Sequence, residues 1–481
     1  MTIKSNNMNN RSGGSFGVSI DYLVDEISRL LDENAHERVI SILRSLDSGT
    51  LIDLILRLDS DYRAELLVII PIDMFLTIAN KLPDEVFFQF VTIRGVDELA
   101  KAIVNLPFDE ATDIVGRLPY RQRIHVLRLL PRDVASEIER LLRYSPESVG
   151  GIMTTQIPIF PMDMTVGEAR KIYVDKDTKK LYDKHYYVYV VDNDGKLYGW
   201  IDVRSFLTKP ANLRLRECAQ KPPAVVRATA DRETAARIAI QYDLMEIPVV
   251  DNGDKLVGIV TLDDILDVVV NEFSEDLLKY GGILEVIRGS YIASSPLRLA
   301  IKRFPMIAYL YLMNTITGSI TAAFTSVIER VAILAAFLPM LADNSGNIGS
   351  QASSLSLRAL VLGEIKPSIR DLAKVLTKEF TVTSLMLLFL APISFGIGFF
   401  VSMIGGLESF KALSIASIVT LSLAVSCYIS DLIGFLLPLL LAKMKIDPAT
   451  ASAPLITTIG DIATVSTYFV LATLLTQSLG L

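Results

Sequence analysis

Hydrophobic residues change their spacing along this chain, and each change marks a different kind of structure. From Ile20 to Leu142, short apolar turns alternate with Leu-Asp, Ile-Pro or Leu-Pro pairs that fall on a grid of twelve residues. Asp or Pro at the start of each unit is typical of a helix N-terminus. The repeat therefore predicts an all-α superhelical N domain over 18–145, preceded by an Asn/Gly/Ser-rich segment, 1–17, that we expect to be disordered.

A second repeat, with β-strand spacing, occupies 146–270. The Val-Val-Asp-Asn sequence at 190–193 returns at 249–252, fifty-nine positions later. Each copy is predicted to form a helix, a strand, a polar turn, a strand and a helix, which makes this an α/β domain pair. The strands are expected at 186–191, 197–203, 247–251 and 256–261.

From residue 304 onward, charges become rare over runs long enough to cross a bilayer. Bases concentrate in the loops 358–379 and 442–448, so the positive-inside rule puts the N-terminus in the cytoplasm and the C-terminus outside. We therefore expect an integral, multi-pass protein of the cytoplasmic (inner) membrane, in contact with membrane lipids. The five predicted membrane helices lie near 305–327, 331–357, 380–403, 412–441 and 449–478.

An acidic segment, predicted at 271–303, connects the second repeat to the membrane part. Its carboxylates and those just before it recur at spacings of three to five, so many share one helix face. Such a face is usually only solvated. It could instead sense a divalent cation, because carboxylates repel each other until a cation bridges them.

Charge and composition exclude several functions. Of 54 acids and 47 bases, nine of each follow residue 304, so the whole net charge of −7 lies in the first part. An acidic soluble part argues against nucleic acid and suits cations. The three histidines all lie in that part, so they cannot build the intramembrane His-Glu-x-x-His zinc site of a protease, and we expect no enzyme.

Two polar stretches interrupt the membrane part. Residues 337–351 include Asp343, Gly346 and Asn347, and residues 454–461 include two threonines before Asp461. A carboxylate inside a membrane is a functional hypothesis by default, and carboxylate, amide and carbonyl oxygens suit Mg²⁺. The stretches predict either one wall of a cation path or a tight helix–helix contact held by polar groups.

The order of these parts resembles the MgtE family of magnesium channels and transporters, and 146–270 resembles a tandem pair of CBS domains. The family's first membrane motif is met by Pro339 and by Gly-Asn-Ile-Gly-Ser-Gln at 346–351. Its second is met by Asp-Pro-Ala at 447–449 and Pro-Leu-Ile-Thr-Thr-Ile-Gly-Asp at 454–461. The resemblance implies a Mg²⁺-selective path that a homodimer forms between the second and fifth membrane helices of both subunits.

The resemblance also implies residue roles. In the path, Asp461 would hold a mostly hydrated Mg²⁺, with Gly346, Asn347, Thr457 and Thr458 around it. Asp343, a charge that the family pattern does not lead us to expect, and Glu329 are placed at the mouth only by their positions in or near the predicted spans. Internal Mg²⁺ would close the path by bridging cytosolic acids, which are Asp109, Asp113, Asp231, Glu233, Asp243, Asp264, Asp267, Glu272, Glu275 and Asp276.

CBS pairs often bind adenine nucleotides such as ATP, and the ribose-contacting pattern of that family is present once, with Thr261 and Asp264. A purely structural CBS pair remains an equal alternative. For the chain as a whole, the alternatives are transport of another divalent cation (Co²⁺, Ni²⁺ or Mn²⁺), or a nonconducting Mg²⁺ sensor.

Overall fold

The structure is a computed structural model that describes residues 19–179, 181–283, 295–365 and 368–479. The segment 1–17, predicted to be disordered, lies outside the described residues. The described chain forms two compact units, one ending at Asn271 and the other beginning at Glu272.

The first part of the first unit is a stack of short helices. Their starts follow the twelve-residue grid, because Asp47 accepts the backbone N–H of Thr50 at 3.0 Å and prolines cap several later helices. Gly95, with φ +85°, stands where the grid breaks. The predicted helical N domain is confirmed. Its helices are α1 Ile20–Asp32, α2 His36–Ser45, α3 Ser48–Arg57, α4 Ser60–Ile69, α5 Ile72–Ala79, α6 Asp84–Arg94, α7 Val96–Ile103, α8 Phe108–Arg117, α9 Tyr120–Leu129 and α10 Arg132–Leu141.

Two equivalent three-stranded sheets follow. The strand orders are β1-β2-β3 and β4-β5-β6, and in each sheet the first pair is parallel and the second antiparallel. The pairings Val190 with Gly199 and Val249 with Gly258 occupy the same register in the two copies, so the tandem CBS pair is confirmed. The elements are β1 Ile159–Pro161, α11 Val166–Thr178, β2 Tyr187–Val191, β3 Leu197–Asp202, α12 Val203–Thr208, α13 Leu215–Cys218, β4 Val226–Arg227, α14 Arg232–Tyr242, β5 Glu246–Val250, β6 Leu256–Thr261 and α15 Leu262–Tyr280.

Long helices make up the second unit. Among the described residues, three are long and apolar enough to cross a membrane, over 371–404, 409–443 and 453–478. Two further long helices, of 28 and 24 residues, stand at the first two predicted spans. The elements are α16 Pro296–Ala323, α17 Thr325–Arg330, α18 Leu338–Val361, α19 Ile369–Ile404, α20 Ser409–Lys443 and α21 Ala453–Leu479.

The predicted spans differ from these helices at their ends. The second span begins as a 3-10 segment, Ala332–Phe337, and α18 starts beside Pro339, whose missing N–H is harmless only in a first helical turn. Helix α19 begins at Ile369, so much of the loop predicted at 358–379 is helical. Asp447 caps a 3-10 turn and does not start the last helix, which begins at Ala453.

Candidate cation path and cytosolic acidic site

Helix α18 separates its polar motif into two faces. Asp343 and Asn347 are exposed, one turn apart, and the Asn347 amide donates to the Asp343 carboxylate at 3.3 Å. Ser345, Gly346 and Gly349 are buried on the opposite side. The motif therefore supplies both an open polar face and a close-packed seam.

Helix α21 fills that seam. A Cβ added at Gly346 would lie 2.6 Å from Cγ2 of Thr457, and one at Gly460 would lie 3.7 Å from Cα of Gly346. Hydroxyl pairs join the helices across the seam, Ser350 with Thr457 at 3.2 Å and Ser345 with Thr464 at 2.5 Å. Gly346 is thus needed for the approach of the two helices, whereas a Cβ at Gly460 would make only an ordinary contact with α18.

Asp461 lies one helical turn beyond Thr457 on α21 and is half-buried. Its Oδ1 is buried and has no hydrogen-bond partner among the described residues. The Asp343 carboxylate of α18 is close enough for the two charges to act on each other. The structure therefore brings together Asp343, Asn347, Gly346, Thr457 and Asp461, with an exposed polar face and a close-packed seam on the two sides of α18.

Two other predicted path residues have different surroundings. The Thr458 side chain is buried, and its hydroxyl donates to the carbonyl of Pro454 at 2.9 Å. Glu329 is exposed on the short helix α17, apart from the helices that carry the motif. The Thr457 hydroxyl likewise donates to a helix carbonyl, that of Ala453 at 2.9 Å, but its side chain is half-buried and therefore more accessible than that of Thr458.

The end of α15 contacts α18 and the segment before α21 through Lys279 and Tyr280, which were not singled out from the sequence. Lys279 Nζ lies 2.6 Å from Glu275 and 2.5 Å from Asp447. Tyr280 donates its hydroxyl to the carbonyl of Ser350 at 2.8 Å. Burial, with the nearby charge of Asp447, raises the pKa of Asp276 to about 6. Lys279 could have been singled out from the sequence because it is a basic residue within an acidic run.

A second acidic site lies in the first unit, between α8 and the start of α15. Burial and the charges of Asp183 and Asp264 raise the pKa of Asp109 well above its ordinary value. Asp109 Oδ1 is buried and has no hydrogen-bond partner among the described residues. Burial, together with the charges of Asp264 and Glu110, also raises the pKa of Asp113. Burial raises that of Asp264 to about 6.

Carboxylates whose charged forms are disfavoured are stabilised when a cation neutralises them, so this acidic site is a candidate for cation binding. Asp183 belongs to it and was missed from the sequence, where it stands among basic residues. No group of three or more His, Cys, Asp or Glu residues in the described part is arranged to hold a metal ion by itself.

The remaining predicted gating acids are spread out. Asp231 caps the N-terminus of α14, where its carboxylate accepts the backbone N–H of Glu233 at 2.8 Å. Asp243 ends the same helix, about 18 Å away by the helical rise. Asp267 is exposed, with Lys81 Nζ 4.0 Å from it. Glu272 lies on α15, one turn before Glu275 and Asp276.

The predicted nucleotide-contacting pair is already engaged within the chain. The Thr261 side chain is buried, and its hydroxyl lies 2.6 Å from a carboxylate oxygen of Asp263 and 2.6 Å from one of Asp264. Lys184 pairs with Asp263 at 3.0 Å. Asp264 is thus shared between the acidic site beside α8 and the ribose pattern.

Comparisons with known proteins agree with this architecture. The MgtE model, described as a divalent cation transporter, matches residues 338–471, the MgtE intracellular N domain matches 46–147, and the CBS domain matches 149–212 and 215–271. The magnesium transporter MgtE of Thermus thermophilus is 34% identical over 75% of this chain and 76% of the relative. That of Enterococcus faecalis is 31% identical over 71% of this chain and 72% of the relative.

A solved structure of the cytosolic domain of the Mg²⁺ channel MgtE in complex with ATP is 26% identical, with a TM-score of 0.47. It covers 51% of this chain and 99% of its own. The matched models lie in the same order as the helical domain, the CBS pair and the membrane helices described above. The predicted resemblance is therefore confirmed, and the chain belongs to the MgtE family of divalent cation transporters, which are integral membrane proteins.

Proposed function

We propose that this chain imports Mg²⁺ across the cytoplasmic membrane, along the open polar face of α18 beside Asp461. The observation that carries this proposal is the Asp461 carboxylate, half-buried in an apolar helix with one oxygen lacking a hydrogen-bond partner among the described residues. A carboxylate in that position is costly unless a cation or a proton neutralises it. The family match to magnesium transporters supports the cation.

A hydrated Mg²⁺ suits the groups around Asp461. Mg²⁺ dehydrates reluctantly and usually keeps several waters, so its ligands act mostly through those waters. Asp461 and Asp343 supply charge, while the Asn347 amide and the Thr457 hydroxyl supply hydrogen-bond partners for the waters. Because Asp343 and Asn347 face outward from α18 in a single chain, we propose that a second copy completes the path in a homodimer, with the C-terminus outside.

Internal Mg²⁺ closes the path in this proposal. Asp109, Asp183 and Asp264 repel each other when ionised, and burial together with the charge of Asp183 raises the pKa of Asp109 and of Asp264. A Mg²⁺ ion that bridges them draws α8 towards the start of α15. The other end of α15 is tied to the membrane helices through Lys279 and Tyr280, so this helix is suited to pass the change on.

We further propose that the CBS pair binds an adenine nucleotide such as ATP, with Thr261 against the ribose. The matches of both halves to the CBS domain support this. Because Asp264 belongs both to the ribose pattern and to the acidic site, nucleotide and Mg²⁺ are expected to affect each other's binding. Calorimetric titration of the full chain with ATP, with and without Mg²⁺, tests this, and Thr261→Ala is expected to abolish the ATP signal.

Mg²⁺ uptake into proteoliposomes tests the proposed transport. Wild type is compared with Asp461→Ala and with Asp431→Asn, which removes the charge of a different carboxylate, buried in α20. Uptake in wild type and Asp431→Asn, and its loss in Asp461→Ala, is the expected result. Equal uptake with Asp461→Ala would remove this residue from the path, and folded protein without any uptake would favour the nonconducting sensor. Competition by Co²⁺, Ni²⁺ and Mn²⁺ in the same vesicles measures selectivity.

A further inference from the structure

The membrane unit has a cavity at the end of the helices where α17 stops and α20 starts. Its volume is about 470 Å³. It lies between the 3-10 segment that precedes α18 and the turn between α19 and α20. Residues from both segments line it, namely Arg330, Val331, Ala332, Ile333, Ala336, Gly405, Leu407, Lys411 and Ile415.

Two bases meet at this cavity, although 81 positions separate them in the chain. Arg330 and Lys411 are the bases that the sequence supplies to the two short loops on the side opposite the base-rich loops. Both side chains are exposed, and neither has an ion-pair partner within the described part of the chain. None of the described residues that line the cavity carries a carboxylate. Two positive charges that make no ion pair among the described residues therefore border one concave site, although Glu329 and Glu408 lie near them in the chain.

The rest of the lining is apolar. Val331, Ile333, Leu407 and Ile415 are aliphatic and buried or half-buried. A Cβ added at Gly405 would lie 2.8 Å from Cδ1 of Ile333, so the two walls are in close contact at this glycine. A site with bases at the rim and aliphatic walls suits a molecule that has a phosphate at one end and hydrocarbon at the other.

We propose that this cavity binds an anionic phospholipid. Arg330 and Lys411 bind the phosphodiester, since a guanidinium and an ammonium both donate charge-assisted hydrogen bonds to phosphate oxygens. The aliphatic walls contact the glycerol and the first methylenes of the acyl chains. The location favours a lipid over a free ion, because the cavity lies at an end of apolar helices, where headgroups of the bilayer are found. Binding would join the start of α18, which carries the polar motif, to α19 and α20.

The test measures phospholipid binding to the full-length protein in detergent. Native mass spectrometry and thermal unfolding are followed while dioleoyl-phosphatidylglycerol, dioleoyl-phosphatidylcholine or sodium phosphate is added. The variants are the double change Arg330→Gln/Lys411→Gln and the cavity-filling Ala336→Trp, with Lys443→Gln/Lys445→Gln as a matched removal of two bases elsewhere. Melting temperature and elution volume without lipid verify that each variant is folded.

Wild type is expected to bind phosphatidylglycerol more tightly than phosphatidylcholine. The double variant should lose roughly thirtyfold in phosphatidylglycerol affinity, the effect of two bases at a membrane surface. Ala336→Trp should lose affinity too, and the control pair should behave as wild type. Should Ala336→Trp not fold, Ala336→Leu takes its place.

Other outcomes overturn the proposal. Unchanged affinity in the double variant removes the bases from binding, and unchanged affinity in the cavity-filling variant removes the cavity. An equal loss in the control pair means a general charge effect. Equal stabilisation by sodium phosphate alone means that the site binds a free anion. These readouts do not use Mg²⁺ transport, so their failure and the failure of the proposed transport are separate.

Discussion

Glu246 provides the sharpest stability prediction because it is a fully buried acid between the two CBS halves. It lies at the start of β5 and is 0% exposed. One carboxylate oxygen accepts the Tyr189 hydroxyl at 2.6 Å, and the other accepts the backbone N–H of Tyr186. Burial nevertheless outweighs these two hydrogen bonds and raises the pKa of Glu246 from 4.5 to about 7.

The sign of the pH effect follows from that raised pKa. Between pH 4.5 and about 7 the unfolded chain releases the Glu246 proton while the folded chain keeps it. The folded state therefore loses stability as pH rises through this window, and the loss is complete above about pH 7. The rise from 4.5 to about 7 corresponds to about 3 kcal/mol, at about 1.4 kcal/mol for each pKa unit.

Glu246→Gln removes this cost while keeping the shape of the protonated acid. Its amide can donate to the Tyr189 oxygen and its carbonyl can accept the Tyr186 N–H, as the protonated carboxyl does. We expect the variant to match wild type at pH 4.5 and to exceed it by about 2–3 kcal/mol at pH 8.

Trp200 makes the measurement specific in the full-length protein. It is the one tryptophan of the sequence, and it stacks on Tyr187 within the first CBS half, with ring centroids 4.0 Å apart. Urea unfolding followed by tryptophan fluorescence at a series of pH values therefore reports on the CBS pair. The exposed Asp194→Asn serves as the control. A difference between Glu246→Gln and wild type that stays constant with pH would refute the reasoning.

Three further predictions concern packing and ion pairs. Gly434→Ala should lower the melting temperature of the detergent-solubilised protein, at a cost of about 1–3 kcal/mol, because its Cβ would collide with a backbone carbonyl of α18. Gly396→Ala should leave the melting temperature unchanged, because open space surrounds this glycine. Lys279→Met should increase Mg²⁺ uptake at high internal Mg²⁺, since Asp447 then loses its partner. Uptake by Lys279→Met that internal Mg²⁺ inhibits as strongly as in wild type would contradict this. Arg117→Ala should destabilise the N domain by about 2–3 kcal/mol in hydrogen exchange, as it binds two backbone carbonyls. Arg117→Lys should recover part of the stability that Arg117→Ala loses.

Local chemistry explains why most elements could be predicted from the sequence. A Pro or Asp at each grid position starts a helix whatever packs around it, so the N domain follows from short-range pattern. The four predicted strands of the CBS pair agree with their predicted ends to within one residue, whereas the short first strand of each sheet, β1 and β4, was not predicted. In both regions the periodicity of apolar residues and the turn residues indicate the same structure.

The site was less predictable because its contacts join distant parts of the chain. Asp183 acts on Asp109 across more than seventy residues, and no spacing rule relates the two. The division of the α18 motif into an open and a buried face depends on where α21 packs. The 3-10 segment before α18 was also missed, since its apolar residues equally suit a helix.

The central claim is that the negative charge of Asp461 stabilises Mg²⁺ inside the membrane and so permits its transport. The measurement that tests it most directly is the initial rate of Mg²⁺ uptake by Asp461→Asn in proteoliposomes, relative to wild type at equal protein content. Asn keeps the size and hydrogen-bonding capacity of Asp and removes only the charge. We predict a loss of at least about tenfold, the result of about 1.4 kcal/mol less stabilisation of the ion. Uptake at the wild-type rate would contradict the claim.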